Sequence, residues 1–373
     1  MSARPQKRKK RGKSRDGGDP AAPSTEDWEQ MTPYGKFIVT DSDGCENVFA
    51  LGDTAVVLPN GVEVGDEIPM HDYWVARLVA IRGRPPPAPV RRRTKKTRLG
   101  RGSVKDTPAE DSDIWAKVHW FYSPKEVSAL VKGFSASHCS KYERIYSHHA
   151  EIISALTFDA LVPVVKFRED DPNQLPIAHD QFFVRYFLET ARKHEVLCYA
   201  RSSERPIGCI CPHPYDLNDP DPLRVMHMCP QPSCRRFYHR ACLLDHGHYT
   251  RARACMADLS VSSPDRGGKS SASPPSPLAT HGAVATPSIP DGLRKRAAQP
   301  IIRGAALHGF GFGITGNCHA VMHARHLVQQ DDWQDEFEAL AEAMAMAMVD
   351  VRLQLADTDE ELVFTCPYCA API

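Results

Sequence analysis

The chain reads as a mainly β domain over residues 35–200, with a small cysteine- and histidine-rich unit behind it at 205–242 and 360–373. A long, partly helical insertion, 243–359, interrupts that unit. Three observations predict this. Short runs of strand length recur through the first 200 residues, separated by turn residues. Four closely spaced pairs of metal-ligand residues follow, in a stretch too poor in apolar side chains to fold on a hydrophobic core alone. Between the third pair and the fourth, the composition turns first to Ser, Pro, Gly and Ala and then to an alanine-rich helical pattern.

The 373 residues, 42% of them hydrophobic, suffice for two small domains, and 31 prolines and 23 glycines point to flexible segments besides. The formal net charge is zero but unevenly spread. Residues 1–16 hold eight Lys and Arg against Asp16 alone, and residues 91–101 hold seven and no acid. These two blocks are solvated tails or loops, or weak contacts for DNA and nuclear import. Neither an apolar run of secretory type nor one of membrane-spanning length appears, so no membrane partner is expected. Without a secretory signal, the clustered members of the 12 cysteines are read as metal ligands rather than disulfides.

In chain order, residues 1–30 are basic, then rich in Gly, Pro and Ser, and are expected to be disordered. Ordered sequence begins near Tyr34–Val39. Val56–Leu58 is a strand ended by the turn Pro59-Asn60-Gly61. Tyr73–Ile81 is the next strand, and 83–111 a long polar loop. Trp115–Tyr122 alternates apolar and polar residues over its first half, and Pro124 ends it. Residues 142–167 hold two further strand-like runs, and 181–192 suit a strand or a short helix. Residues 257–298 look like linker. The glycine-rich stretch from His308 has no preceding strand or phosphate-loop pattern, so it is not read as a nucleotide site. Residues 331–355 read as a helix, with acids Asp331, Asp332, Asp335 and Glu336 in its first turns and Phe337, Leu340, Met344 and Met348 at helical spacing. That stripe is either packing or a partner-binding face.

The ligand pairs are Cys209 and Cys211, Cys229 and Cys234, His239 and Cys242, and Cys366 and Cys369. Zinc takes four such ligands, so eight imply two zinc ions. Spacing alone does not say which pairs share an ion, and Cys255 or Cys318, with His246 or His248, are rivals for the terminal pair. Cys45, Cys139 and Cys198, and equally Cys255 and Cys318, are isolated and read as buried or free thiols.

The order of four cysteines, one histidine and three cysteines, with Phe237-Tyr238 ahead of His239, resembles the plant homeodomain finger. That resemblance implies a cross-brace, with Cys209, Cys211, His239 and Cys242 on one ion and Cys229, Cys234, Cys366 and Cys369 on the other. Cys242 and Cys366 are separated by 123 residues, far more than is usual in that family. Closing the longer loop costs only about 2 kcal/mol, against roughly 10 kcal/mol for a zinc site. Members that read methylated lysine 4 of histone H3 carry aromatics around the first ligands. Here the matching positions are Gly208, Tyr215 and Phe237, so Tyr215 and Phe237 are the weaker cage candidates and a structural finger is the other expectation.

Residues 50–190 resemble a bromo-adjacent homology (BAH) domain, a β-barrel-like fold. The resemblance lies in Gly52-Asp53, in Tyr73 to Arg77, in Val118 to Pro124 with Glu126, and in Glu143, Ser147, His149 and Glu151. The order of the two domains is similar to that of plant and fungal nuclear readers of histone H3 trimethylated at lysine 27. It implies a methyl-lysine cage of Trp74, Trp120 and Tyr122, with His149 and Glu151 touching the histone tail, and a role in repression beside a repressive complex. Trp120 and Tyr122, two apart on a strand, should share a face, and Phe121 should enter the core. No metalloprotease, nucleophile-elbow or nucleotide-loop motif is present, so no enzyme is expected. The alternative is a nucleic-acid binder or adaptor of a chromatin complex that recognises no methyl-lysine.

Overall fold

The computed structural model describes residues 22–40, 45–62, 66–84, 114–190, 196–199, 208–251, 289–310, 312–330 and 362–373. The basic blocks 1–16 and 91–101, Cys255 and the helix expected at 331–355 lie outside the described residues. The chain forms two units, the first from residues 1–136, 140–166 and 180–201, the second from 137–139, 167–179 and 202–373.

The first unit opens with α1, Thr25–Gln30. Ser24 caps it: its hydroxyl accepts from the Asp27 N–H at 3.1 Å, and the Asp27 carboxylate accepts from the Ser24 N–H at 3.4 Å. The expectation of disorder through residue 30 is therefore corrected for 25–30. The reason is Trp28, which is buried with Met31 and Trp115 and anchors a segment whose composition is otherwise polar.

The strands are β1 (Thr32–Tyr34), β2 (Lys36–Thr40), β3 (Glu46–Ala50), β4 (Thr54–Val57), β5 (Trp74–Gly83) and β6 (Ile114–Tyr122). After α2 (Pro124–Leu130) come β7 (Glu143–Ser154), β8 (Phe158–Leu161), β9 (Val165–Lys166), β10 (Phe183–Thr190) and β11 (Val196–Tyr199). Among the described residues they build a nine-stranded mixed sheet in the order β11-β10-β7-β6-β5-β4-β8, with β1 on β5 and β9 on β10, while β2 and β3 form a separate hairpin. Residues 181–192, open between strand and helix from sequence, supply β10, which runs parallel to β7. Pro124 both ends β6 and starts α2, where its missing N–H costs nothing, and Ser123 caps that helix with Glu126. The core is apolar except where β7 meets β10. There the Arg185 and Glu143 side chains, both fully buried, pair at 2.7 Å and 3.2 Å.

The second unit holds β12 (Met226–Met228), β13 (Phe237–His239), α3 (Arg240–Asp245), β14 (Tyr249–Arg251), α4 (Asp291–Ala297), β15 (Ile302–Arg303), α5 (Cys318–Val328) and β16 (Leu362–Phe364). Its sheets are β13-β12-β15 and β14-β16. The linker expected over 257–298 is corrected at its end: Asp291–Ala297 is helical because Leu293 is buried against Ala324 and Leu327 of α5. Arg325 of α5 donates to the carbonyls of Ala297 and Gln299, both at 2.9 Å, closing the C-terminus of α4. Two glycines after His308 have a packing role. Gly313 and Gly316 have φ of +61° and +68°, and a Cβ would lie 2.0 Å from the Ile177 carbonyl oxygen at one and 2.1 Å from that of Ile302 at the other.

Candidate functional site

Two groups of side chains concentrate chemistry, one in each unit. In the second unit the eight ligand candidates gather into two sets, Cys209, Cys211, His239 and Cys242, and Cys229, Cys234, Cys366 and Cys369. Within each set the ligand atoms lie within 4.8 Å of one another. Each set could hold a metal ion. Tetrahedral zinc with Zn–S near 2.3 Å sets sulfurs roughly 3.8 Å apart. Here Cys229 and Cys369 sulfurs are 3.4 Å apart and Cys234 and Cys366 3.6 Å, while Cys211 Sγ is 3.2 Å from His239 Nδ1. Four soft or borderline donors at such spacing suit zinc. Burial pushes the His239 imidazole down to about 4, leaving it neutral near pH 7, as a ligand must be.

Local backbone prepares these sets. Arg235 and Ala370 take positive φ, 48° and 58°, beside Cys234 and Cys369, which lets a tight turn present two sulfurs to one point. The Cys209 sulfur accepts from the His239 N–H at 3.1 Å, and the Cys366 sulfur from the Tyr368 N–H at 3.4 Å. The strand expected at Val363-Phe364 is β16, paired with β14 so that Phe364 faces Tyr249. Phe364 and Cys366 share a buried cluster with Tyr238 and Leu243. The rivals Cys318, His246 and His248 belong to neither set; Cys318 is buried in α5.

In the first unit, the five residues singled out for tail recognition come together. Ala76 of β5 stands directly opposite Trp120 of β6. Its small side chain lets the indole lean diagonally onto Trp74, and the two rings meet edge-on at 5.6 Å and 80°. The ladder between β6 and β7 shifts register between His119 and Phe121, where Trp120 alone answers Ser147, His148 and His149 of β7. His149 lies within that irregularity, while Glu151 sits in register opposite Val118. Trp120 Nε1 donates to Glu151 Oε2 at 2.8 Å, and the Tyr122 hydroxyl lies 2.6 Å from His149 Nδ1, with the rings stacked. Phe121 points the other way, into a cluster with Val56, Val75 and Phe182.

The five residues differ in exposure. Trp120 is 1% exposed and Tyr122 7%, so both are largely covered, whereas Trp74, His149 and Glu151 are half-buried and reach the surface. The weaker candidates of the second unit are placed differently. Tyr215 and Phe237 are each 2% exposed, and the cation between them is the chain's own: the Arg303 guanidinium carbon lies 3.6 Å from the Phe237 ring centre and 4.5 Å from that of Tyr215. Sequence reasoning missed Arg303. A single arginine after two isoleucines carries no signal of an aromatic partner 66 positions away.

No family model matches this chain, and no curated protein does. Among solved structures it is similar to the crystal structure of the yeast Rsc2 BAH domain, at 11% identity and a TM-score of 0.26, over 45% of this chain. The match spans 54% of that chain. No helix among the described residues is long and apolar enough to cross a membrane.

Proposed function

We propose that the first unit is a non-catalytic reader of a methylated lysine on a histone tail, and that the second unit is a zinc-stabilised finger. The observation that carries the reading is the joined set Trp74, Trp120, Tyr122, His149 and Glu151. A methylated ammonium keeps its charge and sheds hydration, so it is held by aromatic faces. Trp74 offers the half-exposed wall. Trp120, buried and tied to Glu151, fixes the angle of that wall. Glu151 uses one oxygen on Trp120 and keeps the other for an N–H or a basic side chain of the tail.

The finer reading follows from the resemblance of the motifs. The tail is that of histone H3, the mark trimethyl-lysine 27, the setting nuclear chromatin, and the outcome gene repression through a recruited complex. The test is calorimetry of the full chain against H3 peptides carrying lysine 27 unmodified or trimethylated, with peptides marked at other lysines as competitors. Preference for the trimethylated lysine 27 peptide, lost in Trp74→Ala, is expected. Equal binding to all peptides would sink the methyl-lysine reading. Affinity for DNA that falls steeply with salt, alongside such indifference, would point to the nucleic-acid binder instead.

A further inference from the structure

We infer that Ile302–Arg303 is a ligand built into the chain, a strand and a guanidinium that fill in cis the peptide edge and the cation pocket of the second unit. The argument concerns the second unit alone and stands whatever the first unit binds. β15 adds to the free edge of β12, with Met226 opposite Arg303 and His227 opposite Ile302. This is how an extended peptide docks on a sheet, with backbone bonds supplying affinity and a side-chain pocket supplying selectivity. The pocket here is aromatic on three sides. The Arg303 guanidinium lies 3.6 Å from the Phe237 ring centre, 4.5 Å from Tyr215 and 5.8 Å from Phe167. Glu169 closes the fourth side, accepting from Arg303 at 3.0 Å through its carboxylate and at 3.1 Å through its carbonyl. The walls are themselves fixed, since the Tyr215 hydroxyl donates to the Ile314 carbonyl at 3.0 Å.

The insertion also holds the strand from behind. Asn317 Oδ1 accepts from the Ile302 N–H at 2.7 Å, and the Ile302 carbonyl accepts from the Asn317 N–H at 3.0 Å. Gly316 packs so closely on Ile302 and Arg303 that no Cβ fits. Aromatic faces around a cation, with a carboxylate beyond, are the recognition chemistry of planar guanidinium and of methylated ammonium groups. The pocket has that chemistry, and the chain occupies it. The insertion therefore completes the finger, and an external methyl-lysine has no entry to Tyr215 and Phe237 while Arg303 is in place.

Chemical rescue tests this. Arg303→Ala in the full, zinc-loaded chain empties the pocket, and thermal unfolding is followed with methylguanidinium chloride or its neutral isostere N-methylurea at equal millimolar concentration. The variant should melt well below the parent, and methylguanidinium should raise its midpoint by about 5 °C more than it shifts the parent, with N-methylurea giving no such gain. Equal response of variant and parent, or equal rescue by the neutral solute, overturns the proposal. Should the variant fail to hold metal, the same comparison is read as zinc retained after refolding, where indifference to methylguanidinium overturns it equally.

Discussion

Trp74 and Trp120 make the sharpest test of the proposed reader site, because burial separates what each substitution does. Trp120 is 1% exposed and donates to Glu151 at 2.8 Å. Trp120→Ala removes a buried indole and leaves a cavity, at a cost of about 3–5 kcal/mol, and strands a half-buried carboxylate that has lost its donor. Lost peptide binding in that variant would not separate a broken cage from a loosened fold. Trp74 is half-buried and leans on Trp120 by its edge. Trp74→Ala forfeits the aromatic pair, ~1 kcal/mol, and removes one wall of the cage, worth ~1–2 kcal/mol of cation affinity when desolvated, or roughly 5–30-fold in Kd. Binding should therefore fall by about tenfold while the first-unit unfolding midpoint moves by only a few degrees, against ~10 °C or more for Trp120→Ala. Calorimetry of peptide binding and thermal unfolding of the full chain, run side by side, provide the check. Unchanged affinity in Trp74→Ala at a nearly unchanged midpoint would refute the placement of the site, and equal destabilisation by the two variants would refute the division of roles.

Three further expectations follow from the packing. Arg185→Leu takes the arginine from the fully buried Glu143 carboxylate, which keeps the Ser140 N–H at 3.3 Å, and should cost about 3–5 kcal/mol in urea unfolding, whereas Glu143→Leu with Arg185→Leu should recover most of that; additive losses in the double variant would show that the pair is not coupled. Removing metal with a strong chelator should abolish the unfolding transition of the second unit and spare that of the first, with two zinc ions per chain counted beforehand by elemental analysis; a second unit that keeps its transition without metal would contradict the two-site reading. Burial pushes the His227 imidazole from its ordinary 6.5 down to about 3, so the unfolded chain binds a proton that the folded one refuses and stability falls as pH drops from 6.5 toward 3, by up to ~1.4 kcal/mol per unit. His227→Leu should flatten that slope in pH-dependent unfolding relative to the parent, and an unchanged slope would show that other groups set it.

What the sequence discloses here follows from the range of the interaction involved. Ligand pairs are local: Cys366-Pro367-Tyr368-Cys369 needs one tight turn, and residues three apart announce it without knowledge of the rest of the chain. Trp120 and Tyr122 share a face because the strand period is two, and that too is local. The β7 register shift, within which His149 lies, is a mismatch between two strands and leaves no mark on either alone. The helix at 25–30 was hidden by averaging, since one buried Trp28 outweighs a polar composition over so short a span. Arg303 is the extreme case. Its chain neighbours favour a strand, but its role depends on Phe167, Glu169, Tyr215 and Phe237, drawn from three distant segments. The same aromatic positions that suggest an open cage in sequence are the ones a buried cation needs for desolvation to be compensated. Aromatic spacing therefore identifies a cation site, and only the fold decides whether that cation comes from a partner or from the chain itself.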